Sequence, residues 1–273
     1  MNAEQNRLPL PGRDFAEKFV EADGFNIRYM DAGSGEAVVY LHGAGGLRLS
    51  HAHDLLAQNY RVIALEAPGF GDSAVNDKSE TLNQMADSIA AAIAAIGVER
   101  YHLIGNSFGG KLAILTALQH TDAIETLVLV APAAIRLTNS GPPSGTPAEM
   151  MAMLYAHPER QPKMTPPTPE VLAKQGALVK RLIGPPRDEA METAMKDLDI
   201  PVLAVFGTKD KLITTDVAHI YAELLPNCHL MMIYDAAHAV DADRPEATAE
   251  VIADFLARKE KFLVTQSDGI IHP

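Results

Sequence analysis

The sequence predicts an α/β fold, a mostly parallel doubly wound sheet with an inserted helical cap. Three observations carry this prediction. Short β-branched apolar runs alternate with longer helical patterns, the alternation breaks only once, and glycine-rich turns directly follow two of the runs. At 273 residues, 47% of them hydrophobic, the chain can bury a large core without disulfide or metal staples.

The runs fall at residues 25–29, 37–41, 61–65, 101–104, 124–130, 201–206 and 229–234. The helix expected over 81–96 opens with a capping-box pair, Thr81 and Gln84, is filled with alanines and stops at Gly97. Further helices are expected over 108–120, 220–225 and 245–257, the last with Pro245 at its first position. Between 133 and 198 the rhythm stops. Ten of the 18 prolines lie from Pro142 to Pro186, and six of the 11 methionines (Met150, Met151, Met153, Met164, Met191, Met195) lie from Met150 to Met195. Proline interrupts both helices and ladders, so short helices joined by stiff turns are expected there. Some 65 residues are too many for an ordinary loop. The expected division is a core of residues 1–132 and 199–273 with a cap insertion at 133–198, whose methionines either line an adaptable apolar pocket or fasten the cap to the core. The stretch after Arg258 is apolar enough to pack on something, and an exchange or docking arm in a homodimer is one reading of it.

Composition excludes several classes. A net charge of −12 without a Lys/Arg cluster offers no footprint for phosphate backbones, so nucleic acid is not an expected partner. Cys228, the single cysteine, can form no intramolecular disulfide and has no zinc-site spacing around it, so no metal is expected. The first residues lack the apolar core of a secretory leader, and no apolar run nears the ~18 residues of a membrane span. A cytoplasmic protein acting on a small molecule, with no membrane role, is expected.

The chemistry centres on Gly105-Asn106-Ser107-Phe108-Gly109, which links the run at 101–104 to the helix expected from 108. A GxSxG elbow holds its serine in a strained strand-to-helix turn that only small neighbours tolerate, projecting the hydroxyl from the sheet edge. A serine hydroxyl needs a base, and the base needs an acid that fixes its tautomer. Asp210 and His238 follow the runs at 201–206 and 229–234 in the chain order such elbows use. Asp235, Asp241 and Asp243 compete as the acid, but they flank His238 too closely to reach its far nitrogen easily. At 131–133 no carboxylate is present. His51, His53, His102, His120, His157, His219, His229 and His272 are read as surface or core residues.

A developing oxyanion needs two backbone N–H donors. Phe108, after the nucleophile, supplies one. Ala44, in His42-Gly43-Ala44-Gly45-Gly46, is the choice for the other, with Gly43 and Gly45 beside it along the substrate; His42 is read as an organiser of that loop. The glycine spacing there does not fit GxGxxG, so no dinucleotide cofactor is expected. Lys111 is read as a paired structural lysine.

These residues resemble the α/β-hydrolase fold superfamily over nearly the whole chain. Residues 66–73, EAPGFGDS, are similar to the family's DxxGxGxS turn with Glu66 in place of Asp, and 133–198 sits where the family inserts its cap. Ser107 separates the chain from the dehalogenases and epoxide hydrolases of this fold, which carry Asp at the elbow. The Asn106-Ser107 pair and the stretch 168–172 are similar to the meta-cleavage-product hydrolases, which cut a carbon–carbon bond beside a ketone. Two positions depart from that branch: Gln175 stands where it carries a carboxylate-gripping arginine, and Ala239 where it carries tryptophan. Losing the arginine removes bidentate carboxylate recognition, which favours an uncharged substrate. The expectation is a cofactor-free serine hydrolase of small, largely apolar carboxylic esters, with Asn106 and Gln175 among its substrate-binding residues. The alternatives are a carbon–carbon hydrolase of meta-cleavage type and a ligand receptor built on the same fold.

Overall fold

The computed structural model describes residues 10–137, 145–162 and 165–262. In chain order the elements are β1 (Ala16–Ala22), β2 (Phe25–Ala32), β3 (Ala37–Leu41), α1 (His51–Leu56), β4 (Arg61–Leu65), α2 (Leu82–Ala95), β5 (Tyr101–Asn106), α3 (Phe108–Gln119), β6 (Ile124–Val130), α4 (Pro147–Leu154), α5 (Pro169–Leu182), α6 (Glu189–Met195), β7 (Val202–Gly207), α7 (Ala218–Leu224), β8 (Cys228–Ile233), α8 (Val240–Asp243) and α9 (Pro245–Arg258). The strands form one eight-stranded sheet in the order β1-β2-β4-β3-β5-β6-β7-β8. β2 pairs antiparallel with both β1 and β4, and every other pairing is parallel.

The strands β3 to β7 are buried on both faces, as their continuous apolar runs require. Along β6, Leu127 and Leu129 enter the core shared with α2, α3 and α7, while Val128 and Val130 enter the core shared with α1 and α9. Alternate side chains of one strand thus hold helices on opposite sides. The strand order reverses between β3 and β5, and their carboxyl ends open the crevice where such sheets place ligands.

Besides the four-residue α8, two elements outside the cap have no counterpart in the expected list. The first is β1, whose leading residues AEKF are exposed, so no face of it carries a continuous apolar signal. It forms because all seven of its residues pair with β2. The second is α1, six residues long and too short for helical periodicity, which is held by Ser50 and the His53 side chain reaching back to the Ser50 N–H. The expected capping box of α2 is present, with the Gln84 N–H donating to Thr81 Oγ1 at 3.2 Å, and Gly97 ends the helix at φ +85°.

Between β6 and β7 the proline-rich stretch folds into α4, α5 and α6. Pro147 and Pro169 occupy first-turn positions, after Thr146 and Thr168 caps, where a missing N–H costs nothing. The packing does not break sharply at 133 and 198. Ala133, Ala134 and Ile135 at one end, and Met191, Met195 and Leu198 at the other, lie in the same apolar core as Leu127. After α9, Lys259–Lys261 makes one 3-10 turn and Phe262 packs edge-on against Phe255 and His229. The rest of the proposed arm, with His272, lies outside the described residues, as do Pro142, Pro143 and Met164. Among the described residues no helix is long and apolar enough to cross a membrane.

Candidate active site

The elbow is fixed by contacts that leave no room for side chains. A Cβ on Gly105 would lie 2.4 Å from the Gly109 carbonyl oxygen, one on Gly109 would lie 2.3 Å from that of Leu41, and one on Gly110 would lie 2.7 Å from Pro132 Cβ. Helix α3 can therefore sit directly on β3, β5 and the turn after β6 only with glycine at all three positions. Ser107 is held at φ +52°, ψ −112°, a conformation costly for an L residue. Its backbone is tied on both sides: its N–H donates to Val130 O, and its carbonyl accepts from the Gly110 and Ala133 N–H groups, each at 2.9 Å.

The loops after β7 and β8 meet the half-buried Ser107 hydroxyl. His238 Nε2 is 2.9 Å from Ser107 Oγ, and its Nδ1 is 2.9 Å from Asp210 Oδ2. With Nδ1 donating to the carboxylate, Nε2 is left to accept the serine proton. The Asp210 carboxylate is fully buried, and its other oxygen accepts from the Leu212 and Ile213 N–H groups at 2.8 and 3.0 Å. Two backbone donors thus fix it before it meets the imidazole. Gly207 lets the two loops touch, since a Cβ there would lie 2.3 Å from Ala237 O, and the Lys209 N–H donates to Ala236 O at 2.8 Å.

None of the three competing aspartates reaches His238. Asp235 pairs with Lys209 and, at 2.8 Å, with His157, and these two partners pull its carboxyl down to about 2. Asp241 faces His53 at 3.8 Å, and Asp243 accepts backbone N–H groups.

The loop after β3 turns back on itself through the Gly46 N–H and Gly43 O, 3.1 Å apart. Gly43 is its point of contact with the elbow: a Cβ there would lie 3.0 Å from Asn106 Oδ1 and 3.5 Å from Ser107 Cβ. Ala44 is exposed, and a Cβ on Gly45 would meet nothing within 4 Å. Among the described residues, neither the Ala44 nor the Phe108 N–H has a hydrogen-bond acceptor. His42 underpins this loop. Its Nδ1 donates to Gly43 O at 2.7 Å and its Nε2 accepts from the Ala67 N–H at 3.1 Å, so both nitrogens of a neutral ring are used. Burial holds its pKa down at about 4.

Gln175, on α5, is buried against this loop. Its Oε1 accepts from the Gly71 N–H at 3.0 Å and lies 3.1 Å from where a Cβ of Gly46 would be, while its Nε2 has no partner among the described residues. Glu66 fills the place of the expected Asp, with Arg28 at 3.0 Å. Burial raises its pKa against the pull of Arg28, and one carboxylate oxygen has no partner among the described residues. Lys111 differs from expectation. It is buried, but among the described residues its ammonium meets the Ile183 carbonyl at 2.8 Å and no carboxylate, and desolvation lowers its pKa.

Two residues around the site lie within motifs read from the sequence but had no role of their own there. Phe70 packs on both His42 (4.7 Å between ring centroids) and Phe108 (5.6 Å), joining the β3 loop to the elbow. Gly46, at φ +90°, gives Gln175 its place. A surface cleft of about 430 Å³, lined by Gly97, Val98, Tyr101 and His120 among others, lies at the amino end of β5, away from Ser107. No cluster of three potential metal ligands occurs among the described residues.

Residues 38–251 match the alpha/beta hydrolase family. The chain belongs to that family. One relative is the 2-hydroxy-6-oxo-6-(2'-aminophenyl)hexa-2,4-dienoic acid hydrolase of Metapseudomonas resinovorans, 25% identical over 90% of this chain and 92% of that one. Two solved structures share the hydrolase fold: a serine hydrolase involved in carbazole degradation (TM-score 0.76, 24% identity, 89% of this chain and 99% of that one) and a bacterial membrane phospholipase A (TM-score 0.71, 23% identity, 89% and 86%).

Proposed function

We propose that this alpha/beta hydrolase is a serine esterase that cleaves small, largely apolar carboxylic esters through an acyl-enzyme, with Ser107, His238 and Asp210 as its catalytic residues. The observation that carries the reading is the continuous hydrogen-bonded line from Asp210 Oδ2 through both nitrogens of His238 to Ser107 Oγ. Ser107 Oγ attacks the ester carbonyl carbon as His238 Nε2 takes its proton, and Asp210 stabilises the resulting imidazolium. The oxyanion is held by the Phe108 and Ala44 N–H groups. His238 then returns the proton to the departing alcohol, leaving the acyl group on Ser107. Water, deprotonated by His238, releases the carboxylic acid. The cycle requires no cofactor.

Gln175 favours an uncharged acyl group. It offers an amide donor beside Gly46, where a cation would recognise a carboxylate. The second reading is hydrolysis of a carbon–carbon bond beside a ketone, favoured by the activity for which the Metapseudomonas resinovorans relative is named. Steady-state assay of p-nitrophenyl acetate, butyrate and hexanoate beside a coloured meta-cleavage dienolate separates the two. Sustained turnover of the esters with the dienolate untouched is expected, whereas dienolate bleaching with at most slow ester cleavage selects the second reading. A single turnover followed by arrest, with a large ligand-induced rise in melting temperature, marks a receptor instead.

A further inference from the structure

The peptide N–H groups on either side of His238 are both bound to the cap, one directly and one through a side chain. The Ala239 N–H donates to Leu154 O at 2.8 Å, at the end of α4. The Ala237 N–H donates to Asp243 Oδ2 at 2.8 Å, and the same oxygen accepts the Ala156 N–H at 2.8 Å. Asp243 Oδ1 accepts from Gln161 Nε2 at 3.3 Å. One carboxylate therefore joins the loop carrying the base to two points on a segment about 85 positions earlier in the chain. A third tie joins the same two segments, where His157 Nε2 meets Asp235 Oδ2 at 2.8 Å.

We propose that Asp243 is a positioning residue: it latches the cap segment 154–161 to the backbone beside His238 and so sets the distance from His238 Nε2 to Ser107 Oγ. The proposal rests on the reading of His238 as general base. The chemistry suits the part. A carboxylate accepts several N–H donors at once, and bonds to an ionised acceptor are stronger than neutral ones. The loop has little regular structure of its own, with only the four-residue α8 after it. Without Asp243 the Ala237 and Ala156 N–H groups lose their acceptor together, and among the described residues only the Ala239–Leu154 and His157–Asp235 hydrogen bonds still hold the loop to the cap. A displacement of the base of about 1 Å is enough to cost on the order of 100-fold in rate. The cap then serves chemistry as well as substrate fit, because closing it aligns the base.

The test is the rate at which a fluorophosphonate labels Ser107, a step that needs the base and no knowledge of the natural substrate. Wild-type protein that fails to label contradicts the esterase mechanism itself and leaves that failure distinct from this one. Given wild-type labelling, D243A is expected to label at least tenfold more slowly per folded molecule, with phosphonate affinity changed less than threefold. D243N keeps one oxygen for both backbone donors and is expected to stay within threefold of the wild type. R181A serves as a stability control, because Arg181 ties the cap to Ser79 O and Asn76 O away from His238. It is expected to lower the melting temperature while labelling within twofold of the wild type. If D243A does not fold, A156P decides, since proline removes only the cap's backbone donor to Asp243 and leaves that of Gln161. Tyr155, at φ −122° and ψ 138°, already has the backbone that precedes proline, and a three- to tenfold slowing is expected. Wild-type labelling rates in D243A, or in A156P where D243A is unfolded, overturn the proposal.

Discussion

The elbow and the cap are held in different ways. At the elbow, Gly105, Gly109 and Gly110 let backbone lie on backbone, and the position of Ser107 follows from steric exclusion. In the cap, α5 is held by side chains that reach the core's carbonyl and amide groups: Lys174 to Gly71 O and Ser73 O, Gln175 to the Gly71 N–H, and Arg181 to Ser79 O and Asn76 O. A sterically enforced turn has one solution and tolerates no added atom, whereas a set of polar ties can be lost one at a time. The nucleophile thus belongs to the rigid part of the molecule, and the base stands where that part meets the cap.

The most severe way to break the comparison is to add one methyl group to each region. G109A drives a carbon against Leu41 O and His42 O, and because neither backbone can retreat from a central strand, a loss above about 4 kcal/mol is expected in urea denaturation. G176A, on the exposed face of α5 where an added Cβ meets nothing within 4 Å, is expected to stabilise by up to about 1 kcal/mol. Equal losses for the two would contradict the distinction.

The next test concerns the junction. D210N keeps the shape of the acid and its contacts from Leu212 and Ile213, but it presents the wrong partner to Nδ1 and upsets the tautomer. Ester turnover is expected to fall about 10³- to 10⁴-fold, with the urea midpoint little changed.

His42 gives a smaller effect that sharpens the account of the β3 loop. Its folded pKa of about 4 lies below the ordinary 6.5, so between these values the unfolded chain binds the extra proton and folding weakens as pH falls. The contribution is full above about pH 6.5 and declines by roughly 3 kcal/mol down to pH 4. Stability measured at pH 7 and pH 5 should therefore fall further in the wild type than in H42N; parallel profiles would remove His42 as the titrating group. The smallest effect is expected from K111M. A buried ammonium satisfied by one carbonyl carries a desolvation cost close to what its contact returns, so thermal denaturation should show a change within about 1 kcal/mol.

The same contrast explains what the sequence made legible. The elbow, Asp210 and His238 could be located because sterics and strand ends leave a local trace: three small residues around one serine, and a carboxylate and an imidazole each just past an apolar run. The parallel strands were legible because both of their faces are buried. β1 left no such trace, since its place depends on pairing with β2 and not on an apolar face. The role of Asp243 was equally hidden. Five positions after His238 it reads as a rival acid, and only the folded cap brings the Ala156 and Gln161 donors to it. Gln175 could be named but not described, because Gly46 and Gly71, between which it sits, lie more than 100 positions earlier in the chain.

The central claim is that Ser107, activated by His238, is the nucleophile. Peptide mass spectrometry after treatment with a fluorophosphonate tests it most directly. The account predicts a single adduct on Ser107 in the wild type and none in H238A of unchanged fold. Label on another residue, or a folded wild-type protein that takes no label, would contradict it.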